Sequence, residues 1–391
     1  MPNSSYEMLI YNHEGRLIRQ IPRISDLKLS IIRNDMGIIS SALVGDDAEW
    51  AFKNLNLQQH ESLNYVMVVR RANFDSRQPV QLGAFFLRRF NPWINEQGQK
   101  LYSLGGVSPE WLLSQRILIP EQDPRYEDKG VRYITEAGVT SQLIGELVSY
   151  HLGSYAKLSR RYEDISVVYH GEVGQGGGRW DSDKLIDVIK ELAASDGVDF
   201  AMEYVPDSNE FLFHVGNVYR DRRVENTEGN MPYILAERLG NLYQPSLSFD
   251  YMEEQNVLWI RQDEDEETEP RRWVRLQSET ANIPYNVNEF ELNNTRKDET
   301  ETASKLITDG KALLKENEPS VEIEIEFNDQ FRNRFQVDWD LGDKITVEFA
   351  NHIFDFQITE VEINVSGQQE TISPKITKID RLVKEEEEES P

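Results

Sequence analysis

Three periodicities follow one another between Thr302 and Val347. Ala303, Leu306, Ile307, Gly310, Leu313 and Leu314 recur at helical spacing. They predict a helix over 300–317 with one apolar face, on which Gly310 leaves room for close backbone approach. Pro319 ends it. Val321, Ile323, Ile325 and Phe327 then alternate with Glu322, Glu324 and Glu326, the pattern of a strand with one buried face and one wholly acidic face. In Leu341-Gly342-Asp343-Lys344-Ile345-Thr346-Val347 the Gly342-Asp343 pair supplies a structural turn, and Ile345, Val347 and Phe349 resume the alternation. The segment reads as a helix feeding a β-meander.

Upstream, the stretch to Pro120 reads as β. Leu27, Leu29 and Ile31 alternate with Lys28 and Ser30, and Val66-Met67-Val68-Val69 and Ala84-Phe85-Phe86-Leu87 are short apolar runs between polar turns. Ser108-Pro109-Glu110 has the signature of a helix start leading into Trp111-Leu112-Leu113. A polar, proline-broken stretch follows. One helix then carries Leu143, Ile144, Leu147, Val148 and Leu152, and another carries Leu185, Ile186, Val188, Ile189 and Leu192 and stops at Gly197. Pro206-Asp207-Ser208-Asn209 joins two extended runs as a hairpin. From Pro245 strands return, interrupted by an acidic tip at 263–267, and Lys384 to Pro391 is a glutamate run unable to bury anything. The expected fold is α+β and β-rich. Two barrel-like or sandwich-like β domains, 1–120 and 236–380 (the latter with helix 300–317), flank an α+β insertion at 121–235, and 381–391 form a disordered acidic tail.

Composition narrows the function. The chain has 391 residues, 39% of them hydrophobic, enough for two to four packed cores. Its net charge of −27 argues against a surface that grips nucleic acid or an anionic membrane. The absence of cysteine removes disulfides, thiolate nucleophiles and thiol-built zinc sites. No apolar run approaches the roughly 20 residues needed to span a bilayer, and the N-terminus lacks the pattern of a signal peptide, so no membrane anchor is expected.

The residues that carry chemistry form no recognisable constellation. The six histidines, His13, His60, His151, His170, His214 and His352, show no HxxxH or HxH pairing. Gly174-Gln175-Gly176-Gly177-Gly178-Arg179 departs from a phosphate-binding GxGxxG because Arg179 stands at the third glycine. Carboxylates are so abundant that no pair singles out a glycosidase, and the 263–267 cluster lacks the spacing of a calcium loop. No G-x-S-x-G nucleophile elbow occurs. No catalytic, cofactor-binding or metal-ligating residue is assigned, and no cofactor is expected.

The order of segments nevertheless has a counterpart. A β-rich start, a helix with Leu112, Leu113 and Arg116, an α+β insertion, a closing helix, the alternating strand and the Leu341-Gly342-Asp343 run together resemble baseplate-hub or tail-tip proteins of long-tailed bacteriophages. The similarity is greatest to Gp-type hub-like proteins of siphoviruses and prophages, and it covers nearly the whole chain. The resemblance implies a non-enzymatic virion tail protein, assembled in the host cytoplasm as a homotrimer. It implies contacts to a tail-tube or distal-tail protein on one side and a spike or tip protein on the other. Two β domains per chain in a trimer give a six-fold-like ring that can mate with a hexameric tube. DNA passes through such an assembly without specific binding, and Glu322, Glu324 and Glu326 are candidate channel-facing residues there. A tail-associated cell-wall or polysaccharide hydrolase and a carbohydrate-binding β protein are the alternatives. Paired carboxylates in a cleft would favour the first, and an aromatic platform around Trp93, Trp259 or Trp273 the second.

Overall fold

The computed structural model describes residues 4–55, 65–73, 79–119, 133–180, 183–252, 254–262, 272–294, 310, 313–314, 317, 320–326, 334–367 and 369–379. The first stretch forms β1 (Ser4–Tyr11), β2 (Leu17–Ile21), β3 (Asp26–Ile32), β4 (Ile38–Val44), α1 (Gly45–Asn54), β5 (Val66–Asn73), β6 (Val80–Ile94), β7 (Lys100–Val107) and α2 (Trp111–Ser114). The middle forms β8 (Tyr133–Gly138), α3 (Thr140–His151), β9 (Ile165–His170), β10 (Gly176–Trp180), α4 (Leu185–Asp196), β11 (Asp199–Val205), β12 (Glu210–Gly216) and β13 (Ile234–Ala236). Then come β14 (Tyr243–Asp250), β15 (Val257–Gln262), β16 (Arg272–Gln277), β17 (Glu289–Asn294) and β18 (Ser320–Glu326), and last β19 (Lys344–Phe349), β20 (His352–Ser366) and β21 (Gln369–Ile379). The chain is a β-rich α+β protein whose residues divide into two compact units, 1–243 with 327–391, and 244–326.

The first unit is built on an 11-stranded sheet of order β13-β19-β20-β3-β4-β7-β6-β5-β1-β2, with β21 on the other side of β20. Strands from the two ends of the chain meet in the β3–β20 ladder, which pairs Leu27 with Val365, Leu29 with Ile363 and Ile31 with Val361. Leu27, Leu29, Val361 and Ile363 are buried while Lys28 and Asn364 face solvent, so a one-residue slip would expose the apolar set. At the far end of β5, the buried Arg71 guanidinium pairs with Glu370 of β21 at 3.0 Å and donates to the Phe335 carbonyl.

In the middle region, β12 runs antiparallel to β11 and parallel to β9. Ile144, Leu147, Val148, Leu185 and Ile189 of α3 and α4 join Phe200, Phe213 and Val215 of the strands in one core. Each such side chain contributes about 1.5–3 kcal/mol by leaving water. Gly197 ends α4 in the left-handed conformation at φ 66°, which glycine adopts without a steric cost.

The second unit pairs β14 with β18 and forms a sheet of order β16-β15-β17. Leu258 and Ile260 of β15 pack with Leu314. A Cβ on Gly310 would lie 2.7 Å from Leu276 and 2.8 Å from Ile260, so its missing side chain is what lets this backbone approach the sheet. Of the expected helix 300–317, only residues 310, 313, 314 and 317 are described. The acidic clusters at 263–267 and 381–391 lie outside the described residues.

One local expectation changes, and one element was not expected. Ser108 does not cap a helix: its hydroxyl accepts from the Gly37 N–H at 2.8 Å, and α2 is a single turn starting three residues later. The helix α1, by contrast, had no clear apolar stripe to announce it, because only Ala48 and Ala51 of its ten residues are buried.

Candidate functional site

The Gly342-Asp343 turn draws together segments far apart in sequence. Gly342 has φ 79°, and a Cβ there would overlap the Tyr219 ring. Its N–H donates to the Ile358 carbonyl at 2.8 Å and its carbonyl accepts from Gln357 Nε2 at 3.0 Å. The Asp343 carboxylate is buried and held as a fork by Arg220, with Nε to Oδ1 at 2.8 Å and Nη2 to Oδ2 at 2.7 Å. Arg222 adds a longer ion pair at 3.6 Å, and Asp343 also accepts from the Asp340 N–H at 3.0 Å. Bidentate arginine–carboxylate pairs of this kind fix orientation as well as supplying charge. The strand that follows begins in register: Lys344 N–H donates to the Arg220 carbonyl, and Arg222 N–H to the Lys344 carbonyl.

A cavity of about 400 Å³ opens beside the turn, lined in part by Asp35, Glu110, Glu203, Tyr219, Asp340 and Asp343. Burial pushes the Asp340 carboxyl up to about 6, against the lowering effect of the Leu341 N–H it accepts. Glu110 is raised by burial too, although the Met202 N–H donates to it at 2.8 Å. Burial likewise raises the Tyr219 hydroxyl far above its ordinary range. Nearby Asp199 pairs with Arg33 at 2.6 Å, yet burial outweighs the guanidinium and its carboxyl is also raised. Arginines hold Asp343 and Asp199, and Glu110 and Asp340 each accept a backbone N–H. The arrangement ties the 219–222 and 340–343 loops, α2 and β11 into one junction.

The fold also brings together a histidine pair that linear spacing hid. His170 of β9 and His214 of β12 lie diagonally across the parallel ladder with Nε2 and Nδ1 2.9 Å apart, and His214 Nε2 is 3.2 Å from Glu203 Oε2. The carboxylate has no proton to give, so His214 donates to Glu203 and accepts from His170. Burial and the neighbouring ring lower the His170 pKa. The ring centroids are 5.1 Å apart. Two imidazoles on one tetrahedral ion at ~2.1 Å would hold their ligating nitrogens about 3.4 Å apart, whereas these nitrogens are 2.9 Å apart, so the geometry is that of a hydrogen bond. Among the described residues no group of three or more His, Asp or Glu converges to hold a metal.

Glu322, Glu324 and Glu326 fall on β18, beside β14; their side chains lie outside the described residues. Trp93 is partly exposed on β6, and Trp259 on β15 is capped by the Arg275 guanidinium at 5.8 Å. Among the described residues no helix is long and apolar enough to cross a membrane.

The family profile described as Siphovirus ReqiPepy6 Gp37-like protein matches residues 7–376. The fold is similar to a tail protein from Neisseria meningitidis MC58, with TM-score 0.57, 10% identity and coverage of 96% of this chain and 97% of that one. It is similar to the 43 kDa tail protein of prophage MuSo2 from Shewanella oneidensis, with TM-score 0.55, 10% identity and coverage of 95% and 98%. A chain of the Francisella PdpA-VgrG complex matches with TM-score 0.50 and 10% identity over 96% of this chain and 58% of its own length. No curated protein matches the chain.

Proposed function

We propose, from the premise that this chain belongs to the Siphovirus ReqiPepy6 Gp37-like protein family and is a phage tail protein, that it forms the baseplate hub or tail tip joining the tail tube to the spike or tip complex. The observation that carries the reading is the family match across residues 7–376, nearly the whole chain. The β3–β20 ladder supports it: a hub must transmit load between neighbours, and one sheet running from strands near the N-terminus to strands near the C-terminus makes a stiff plate rather than two hinged ones.

In this reading the chain is a homotrimer in the virion tail. It contacts a tail-tube or distal-tail protein and a spike or tip protein, and DNA passes without specific binding. The junction around Asp343 serves to hold the plate and the middle region rigid and does no chemistry. Mass measurement tests the assembly. Three chains of 45.4 kDa should weigh 136.2 kDa, with salt assisting closure because like-charged protomers repel. A chain that stays monomeric in the presence of its tail partners would refute the trimer.

A second reading, a tail-associated hydrolase, draws on one observation: Glu110 and Asp340 both line the cavity with raised pKa values. Against it, one oxygen of each carboxyl is already held by a backbone N–H of the chain itself.

A further inference from the structure

On the face that also carries Val107 and Phe86, strands β20, β3, β4, β7 and β6 form a groove of about 690 Å³. Its floor is low because Ser30, Ser40 and Gly105 supply little side chain, and Ile38 stands in it 58% exposed. Charge is divided across it. On β20, Glu360 and Glu362 share Lys375, each at 2.8 Å, and Glu360 also accepts from Ser30 at 2.6 Å. On the far side, on β6, Arg88 and Arg89 line the groove, while Lys28 of β3 lies beside β20, opposite Asn364. Among the described residues none of these three has an ion-pair partner.

Arg88 is the most unusual of them. Its guanidinium carbon lies 3.9 Å over the Trp111 ring and 5.6 Å from that of Phe86, and its Nε is buried without a hydrogen bond. Burial lowers its pKa accordingly. The ladder between β6 and β7 shifts register between Leu87 and Arg89, a bulge of the kind that re-aims side chains; with it, consecutive residues both reach the groove. A partly desolvated guanidinium is costly unless paired, and stacking on an indole leaves its donor edge free for a planar acceptor. In a chain of net charge −27, three unpaired cations gathered on one face are an exception that calls for a counter-charge.

We propose that this groove docks an extended, carboxylate-bearing segment of another protein chain, with Arg88 and Arg89 holding its carboxylate and Ile38 meeting an apolar side chain. From β20 to β6 is four strand spacings, about 19 Å, which six extended residues span. The occupant is polypeptide rather than nucleic acid, because phosphates along the same path would meet Glu360 and Glu362. The inference goes beyond the hub assignment and stands without it.

Fluorescence anisotropy with the full-length chain tests it, using two labelled probes: a decapeptide with two Glu at one end, a central Leu and Ser elsewhere, and a single-stranded oligothymidylate of the same length. The peptide should bind. Arg88→Ala with Arg89→Ala should weaken it at least tenfold, and Arg88→Lys should weaken it several-fold, since an ammonium neither stacks nor binds in a fork. Arg89→Glu alone, at an exposed position, should also weaken binding with an unchanged melting temperature, which separates lost docking from lost folding. Peptide affinity unaffected by these changes, arginine-dependent binding of the oligonucleotide alone, or binding of neither probe would overturn the proposal.

Discussion

Gly342 combines two constraints that a side chain would violate at once. At φ 79° a β-branched residue is strained, and its Cβ would occupy the space of the Tyr219 ring. Gly342→Val should therefore cost about 1–3 kcal/mol or more, read as a lower denaturation midpoint; unchanged melting would show that the loop relaxes freely. Asp340 makes a pH-dependent prediction. Its carboxyl is raised from 3.8 to about 6 in the folded chain, so the folded state holds the proton more tightly. The contribution to stability is full below about 4 and is lost as pH rises through 6, a difference of roughly 2–3 kcal/mol. Asp340→Asn keeps the acceptor for the Leu341 N–H and removes the titration. The variant should be more stable than the parent at pH 7.5 and should lose that advantage near pH 4. Equal stability at both pH values would mean that Asp340 is better solvated than its burial implies.

At the scale of elements, what could be read from the sequence was what local physics controls. The alternation of Leu27, Leu29 and Ile31 gave β3, the apolar stripes gave α3 and α4, Gly197 gave a helix end, and Pro206 to Asn209 gave the β11–β12 hairpin. Pairings that depend on distant partners were not readable. The β3–β20 ladder, the parallel β12–β9 and β13–β19 pairs, and the His170–His214 contact they create have no local signature. The junction was half legible: Gly342-Asp343 announced a turn, but nothing near it pointed to Tyr219 or Arg220. For β18 the alternation with Glu322, Glu324 and Glu326 carries a proposal of its own. If those carboxylates line the channel, changing all three to Lys should trap phosphate and slow DNA ejection from particles that still assemble. Ejection at the parental rate would place them on an outer surface, where they discourage edge-to-edge pairing.

For the whole molecule, the family and the β-rich fold are those of a phage tail component. In the proposed hub the net charge of −27 suits a conduit for DNA, since a basic wall would bind the passing phosphates. The groove beside Arg88 departs from that overall charge, and in the proposed hub it would hold a neighbouring chain. The central claim is one of position, and a three-dimensional reconstruction of purified particles carrying this chain with a gold-labelled terminal tag tests it most directly. The account predicts three labels in a ring at the distal end of the tail tube, between the tube and the tip. Labels repeated along the tube, at the head end of the tail, or absent from the particle would contradict it.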